Sequence, residues 1–184
     1  MQISNRLPDK VELGGKIYNF NASFDNVINI IDLINDNDID NTVKVDLSIE
    51  MIFGKEQCNV DFETKKQLFF FFFAEIVNQG KKDSVPLDLS GKPIPNYQDD
   101  VKKNYSLKHD ADYIFSSFMQ AYHINLFKEQ GKMHWFEFQA LLNGLPDDTK
   151  FKQITQIRSW KSDDKQSYAS KMRELQAIYQ LPDD

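Results

Sequence analysis

The sequence predicts a mainly α-helical protein, a helical domain of about six to seven helices with one short N-terminal β-hairpin. Three observations predict it. Apolar residues recur at helical spacing through most of the chain, Gly14-Gly15 separates two short strand-like runs, and glycine or proline follows the periodic stretches. The 184 residues are a typical single-domain length and ample for a sizeable core. With 41% hydrophobic and 27% charged residues, wholesale disorder and collagen-like structure are excluded.

The elements follow in order. Val11-Glu12-Leu13 and Lys16 to Phe20 flank Gly14-Gly15, and paired glycines tolerate the positive φ of a two-residue turn. Ser23 is placed to cap a helix with Phe24, Val27, Ile28, Ile31 and Ile34 on one face. A second helix is expected from about Thr42 to Phe53, ending at Gly54, although the alternation of Val43, Val45, Leu47 and Ile49 fits a strand equally. Asp61 begins a phenylalanine-rich helix that Gly80 can terminate. Pro86, Gly91, Pro93 and Pro95 make 81–105 an exposed connection between two lobes, 1–80 and 106–184, of one domain.

The second lobe is expected to hold four helices. Asp110 caps the first, with Ala111, Ile114, Phe115, Phe118 and Tyr122 inward. The next runs from about Lys132 to Asn143 with Met133, Phe136, Ala140 and Leu141 inward, and Gly144 ends it. Asp148 starts a third through Phe151, Ile154 and Ile157 to about Trp160. A last helix, from about Asp163 to Gln180, carries Tyr168, Met172, Leu175 and Tyr179 on one stripe.

The run Phe69 to Phe73 is the oddest feature of the composition. The apolar stretch around it is too short to span a bilayer, which needs roughly 20 residues, and it already contains Glu75. On a helical wheel, Phe69, Phe72, Phe73 and Ile76 form one stripe, with Phe70 and Val77 widening it. Phe71 falls among Gln67, Glu75 and Asn78. It belongs either to a helix touched on all sides or to a protein–protein contact. The same two readings apply to Met133-His134-Trp135-Phe136-Glu137-Phe138, where Trp135 and Phe138 share a face away from Phe136. Trp160 is a further aromatic candidate for a partner or oligomer contact.

The chemistry-bearing residues point to no reaction. The single Cys58 allows no intramolecular disulfide and no CxxC pattern, and the N-terminus has no apolar signal region. His134 and Glu137 are an i, i+3 pair, but a di-iron-type site needs a second such pair and further glutamates. His109 and Asp112 flank a helix start, where an acid is explained by capping. Asp99-Asp100, Asp147-Asp148 and Asp163-Asp164 read as solvated caps or turns. No nucleophile elbow, P-loop, dinucleotide or zinc-protease motif occurs, so neither an enzyme nor a metal or other cofactor is expected. The net charge of -6 argues against nonspecific binding to nucleic acid or anionic membrane.

An ordered series in the second half carries a resemblance. It comprises Asp110-Ala111-Asp112-Tyr113-Ile114-Phe115-Ser116-Ser117-Phe118, then Ala121-Tyr122-His123-Ile124-Asn125-Leu126, then Met133 to Leu145, then Thr149-Lys150-Phe151-Lys152-Gln153-Ile154 with Ile157-Arg158. This series resembles the "gp-fifteen" family of long-tailed bacteriophages, as do Leu7-Pro8, the hairpin and the Phe24 helix. Phe136 stands where that family often has a second Trp, and Asn125 where an Asp is common. The resemblance implies a tail-assembly chaperone, which binds the tape-measure protein and keeps it soluble until tail-tube subunits polymerise around it. It also implies self-association, contact with the tail-tube protein and residence in the cytoplasm of the bacterial host. The alternative it leaves is a structural tail-completion or connector protein of the virion.

Overall fold

The computed structural model describes residues 4–78, 104–161 and 166–182. It contains an antiparallel hairpin, β1 (Lys10–Leu13) and β2 (Lys16–Asn19), followed by seven helices among the described residues. Gly14 and Gly15 both take positive φ, +60° and +75°, so the two-residue turn is built as the sequence requires. The helices are α1 (Phe24–Asn35), α2 (Asn41–Phe53), α3 (Phe62–Phe71), α4 (Ala111–Tyr122), α5 (Trp135–Asn143), α6 (Lys150–Ser159) and α7 (Gln166–Ile178). None of the helices described is long and apolar enough to cross a membrane.

Two compact units share the chain: 1–98 with 130–139, and 99–129 with 140–184. The sequence predicts one connection, 81–105, of which 81–103 lies outside the described residues, as does Gly80. Residues 130–139 join the first unit through backbone pairing. Ser23 and His134 form an antiparallel bridge, Phe24 N–H donates to Met133 O at 3.0 Å, and Trp135 N–H donates to Ala22 O at 2.8 Å. Phe24 N–H is a first-turn donor with no acceptor inside α1, so the distant strand-like segment supplies one. This pairing also explains why α5 begins at Trp135 and not at Lys132: the backbone of residues 133–135 is committed to Ala22 and Phe24. Ser23 occupies the N-cap position with extended backbone, but its hydroxyl makes no capping bond.

In the first unit, α1 buries Phe24, Val27 and Ile30, while Ile28, Ile31 and Ile34 lie at the margin. α2 is a helix, capped by the Asp40 carboxylate, which accepts from Thr42 N–H at 2.8 Å. Its alternating residues Val43 and Leu47 are exposed, whereas Lys44, Ser48, Ile49, Ile52 and Phe53 are buried. Lys44 enters the core because its ammonium reaches Ile34 O at 2.7 Å, where a cation meets the carbonyl end of α1. α3 starts at Asp61, whose carboxylate accepts from both the amide and the hydroxyl of Thr64. From Phe72 to Val77 the helix widens into a π turn, closed by Asn78 N–H donating to Phe73 O at 2.9 Å. Phe69, Phe72, Phe73 and Ile76 are buried, as the wheel predicts.

In the second unit, α4 buries Ile114, Ser117 and Phe118, and Ala111 is exposed. His123 ends α4 in the left-handed region, φ 56°, with its N–H and that of Ile124 returning to Met119 and Phe118 carbonyls. α6 begins at Lys150, with Thr149 and not Asp148 at the N-cap position. Thr149 spends its hydroxyl on Pro146 O at 2.7 Å, and the first-turn Phe151 N–H is satisfied across the unit by Ser117 Oγ at 3.1 Å. The carbonyl end of α6 is closed by Gln176 of α7, which donates to Ile157 O and Trp160 O. α7 buries Ala169 and Met172 and leaves Tyr168 exposed; the expected start at Asp163 lies outside the described residues.

Candidate interaction surface

The four aromatic candidates fall into two groups. Trp135 is 3% exposed and Phe138 is 2% exposed, both inside the first unit. Their rings stack at 5.7 Å, Phe138 stacks on Phe24 at 4.9 Å, and the Trp135 indole N–H points to Val77 O at 3.4 Å. The second apolar side of α5 is therefore core, and within the chain neither ring offers a face to a partner. Periodicity shows only that two sides are apolar. It does not show that α1 and the π turn converge on one of them.

Phe71 and Trp160 are half-buried. Phe71 shares its sector with exposed Gln67 and Glu75, but Phe20 from the end of the hairpin leans on it with ring centroids 6.3 Å apart. Phe20 packs edge-on against Phe72 as well, at 5.6 Å, so one hairpin residue covers both. Trp160 meets Tyr168 edge-to-face at 6.1 Å, and Tyr168 is itself exposed.

A further apolar surface lies in the second unit. Phe127, on a 3₁₀ turn after α4, is 67% exposed and tilts against Phe115 at 5.0 Å. Met119, one helical turn beyond Phe115, is 38% exposed. The Asn125 carboxamide accepts from Phe127 N–H at 3.1 Å and fixes the turn that presents the ring. The signal available in the sequence was Phe115 and Met119 at i, i+4 with Phe118 already filling the core stripe. In the first unit Val43 and Leu47, also i, i+4, leave a smaller apolar stripe uncovered on α2.

Among the described residues, no group of three or more His, Cys, Asp or Glu is placed to hold a metal. Both ring nitrogens of His134 are engaged with backbone groups. Burial pushes the Cys58 thiol up from its ordinary value, with Glu50 adding to the shift, so the thiolate is disfavoured.

A family model described as Bacteriophage Gp15 protein matches residues 3–181. The chain belongs to this family. Gp15 is a structural or morphogenesis family of bacteriophages, and the chain is accordingly a phage protein of that class. No curated protein and no solved structure matches the chain significantly. Residues of the motif series make structural hydrogen bonds. Asp110 pairs with Arg158, Ser117 caps α6, and His134 receives Phe136 N–H at the start of α5.

Proposed function

We propose that this Gp15-family protein is a tail-assembly chaperone, which binds the tape-measure protein, self-associates during tail morphogenesis and acts in the host cytoplasm. The observation that carries the reading is the apolar surface in the second unit where exposed Met119 and Phe127 flank half-buried Phe115. Large apolar side chains grouped on a surface mark a contact with another chain. A protein that keeps a long client soluble needs such a surface together with an acidic balance that resists its own aggregation, and the net charge is -6. Phe71 on the first unit and the Trp160–Tyr168 pair on the second would each serve a separate contact, including self-association. Trp135 and Phe138 act indirectly, by shaping the unit that carries Phe71.

Mass spectrometry of purified particles tests the assignment. A chaperone is present in infected cells and absent from mature tails, whereas stoichiometric recovery from particles would make the chain a tail-completion or connector component.

A further inference from the structure

We propose that His134 is an acid-sensitive latch that holds the first turn of α5 closed only while its ring is neutral. The half-buried imidazole sits between the segment before β1 and the start of α5. Its Nε2 lies 3.0 Å from Pro8 O, which can only accept, so Nε2 carries the hydrogen. Its Nδ1 lies 3.1 Å from the Phe136 amide nitrogen, whose N–H can only donate, so Nδ1 carries none. The neutral Nε2–H form is the one state that satisfies both contacts. Phe136 N–H is a first-turn donor with no acceptor inside α5, and the His134 ring is what supplies one.

Adding a proton has unequal consequences at the two ends. Nε2–H still donates to Pro8 O. At Nδ1 the new N–H faces the Phe136 N–H, donor against donor, and the positive end of the α5 dipole adds to the conflict. The helix start therefore opens while the contact to Pro8 survives. The neighbouring residue on that turn is Trp135, whose ring stacks on Phe138 in the core, so seating of a core aromatic depends on the protonation of His134. The Pro8 carbonyl, then Glu137 on α5 and Asp9 on the N-terminal segment, favour the proton. Burial outweighs them and holds the imidazole below its ordinary 6.5.

The direction of the pH effect follows. In the unfolded chain the imidazole takes up its proton as pH falls through about 6.5, while in the folded chain it does so only at a lower pH. Within that window the unfolded state binds more protons. The stabilisation is complete above the window, is lost as pH falls through it, and changes no further below it.

The test is an NMR pH titration of the full chain, following the histidine ring nitrogens and the Phe136 amide. Ring signals are assigned by comparison with His134→Asn. That variant keeps an acceptor oxygen where Nδ1 stood and cannot titrate. Expected are an Nε2–H tautomer at neutral pH, a His134 midpoint below about 6.5, and a Phe136 amide that titrates with it. Exchange of that amide with solvent should become roughly fivefold faster on protonation, as loss of one hydrogen bond implies. In His134→Asn the amide should stay protected through the same range. An Nδ1–H tautomer, a midpoint at or above the ordinary value, or a Phe136 amide indifferent to the titration would overturn the proposal. So would an unchanged acid response in the variant; if the variant does not fold, the unsubstituted chain decides alone.

Discussion

The Asp110 carboxylate and the Arg158 guanidinium form a two-pronged ion pair, with hydrogen bonds of 2.6 and 2.8 Å, and the Asp110 side chain is 1% exposed. Further hydrogen bonds surround the pair. Arg158 also donates to Asn104 O and Tyr179 O, and Asp110 also accepts from Ser106 N–H. One ion pair thereby ties the turn before α4 to the ends of α6 and α7. An enclosed pair of this kind is costly to break from one side, because the surviving charge has nowhere to go.

Asp110→Ala and Arg158→Met should each destabilise the chain by about 3 kcal/mol or more. Arg158→Lys should cost less but still measurably, since an ammonium cannot form the planar two-pronged contact while reaching two carbonyls. Urea unfolding followed by circular dichroism measures this. Single variants within about 0.5 kcal/mol of the parent, the range of ordinary surface changes, would contradict it.

Ser117→Ala removes the acceptor for Phe151 N–H in a place closed to water. The expected loss is about 1–3 kcal/mol, the cost of a buried donor left without a partner. Ser116→Ala, on the exposed side of the same helix, is the control and should be near neutral.

The hairpin was legible because Gly14-Gly15 dictates a turn locally, and the core stripe of the phenylalanine helix because helical geometry fixes it. Asp110 reads as an N-cap from sequence, since an acid before an apolar-periodic run usually caps. Its carboxylate instead meets Arg158, a partner no local pattern specifies. Lys44 was hidden for the same reason: a lysine between valines reads as solvent-facing until the carbonyl end of α1 is placed beside it. At the candidate site, the pattern of α5 alone leaves Trp135 and Phe138 open to either core or contact. Their burial depends on Phe24 and Val77, which are distant in the chain.

Phe71 and Phe72 should separate sharply. Phe72→Ala empties a fully enclosed position and should cost about 3–5 kcal/mol. Phe71→Ser should cost clearly less and should change oligomer size more than melting temperature. Thermal melts and light scattering on the same samples check both. An equal loss of stability would make Phe71 a core residue and remove it from the contact surface.

Asp61 gives a second pH dependence at the start of α3. Its carboxyl is held below the ordinary 3.8, first by the Thr64 amide and then by the Thr64 hydroxyl. The charged form is the one that caps, so its contribution is present above the unfolded value and lost as pH falls through the lower folded value. Asp61→Ala should flatten this acid limb and leave the limb nearer neutral pH, set by His134, unchanged. Amide exchange of Thr64 against pH reads it directly.

The most direct measurement of the central claim is co-expression of this chain with a fragment of the phage tape-measure protein, followed by gel filtration. The fragment should be soluble and co-elute with the parent chain. Phe127→Asp, at a ring already 67% exposed, should fold with unchanged stability and lose the complex. A fragment that stays equally insoluble with the parent chain, with no complex eluting, would contradict the account.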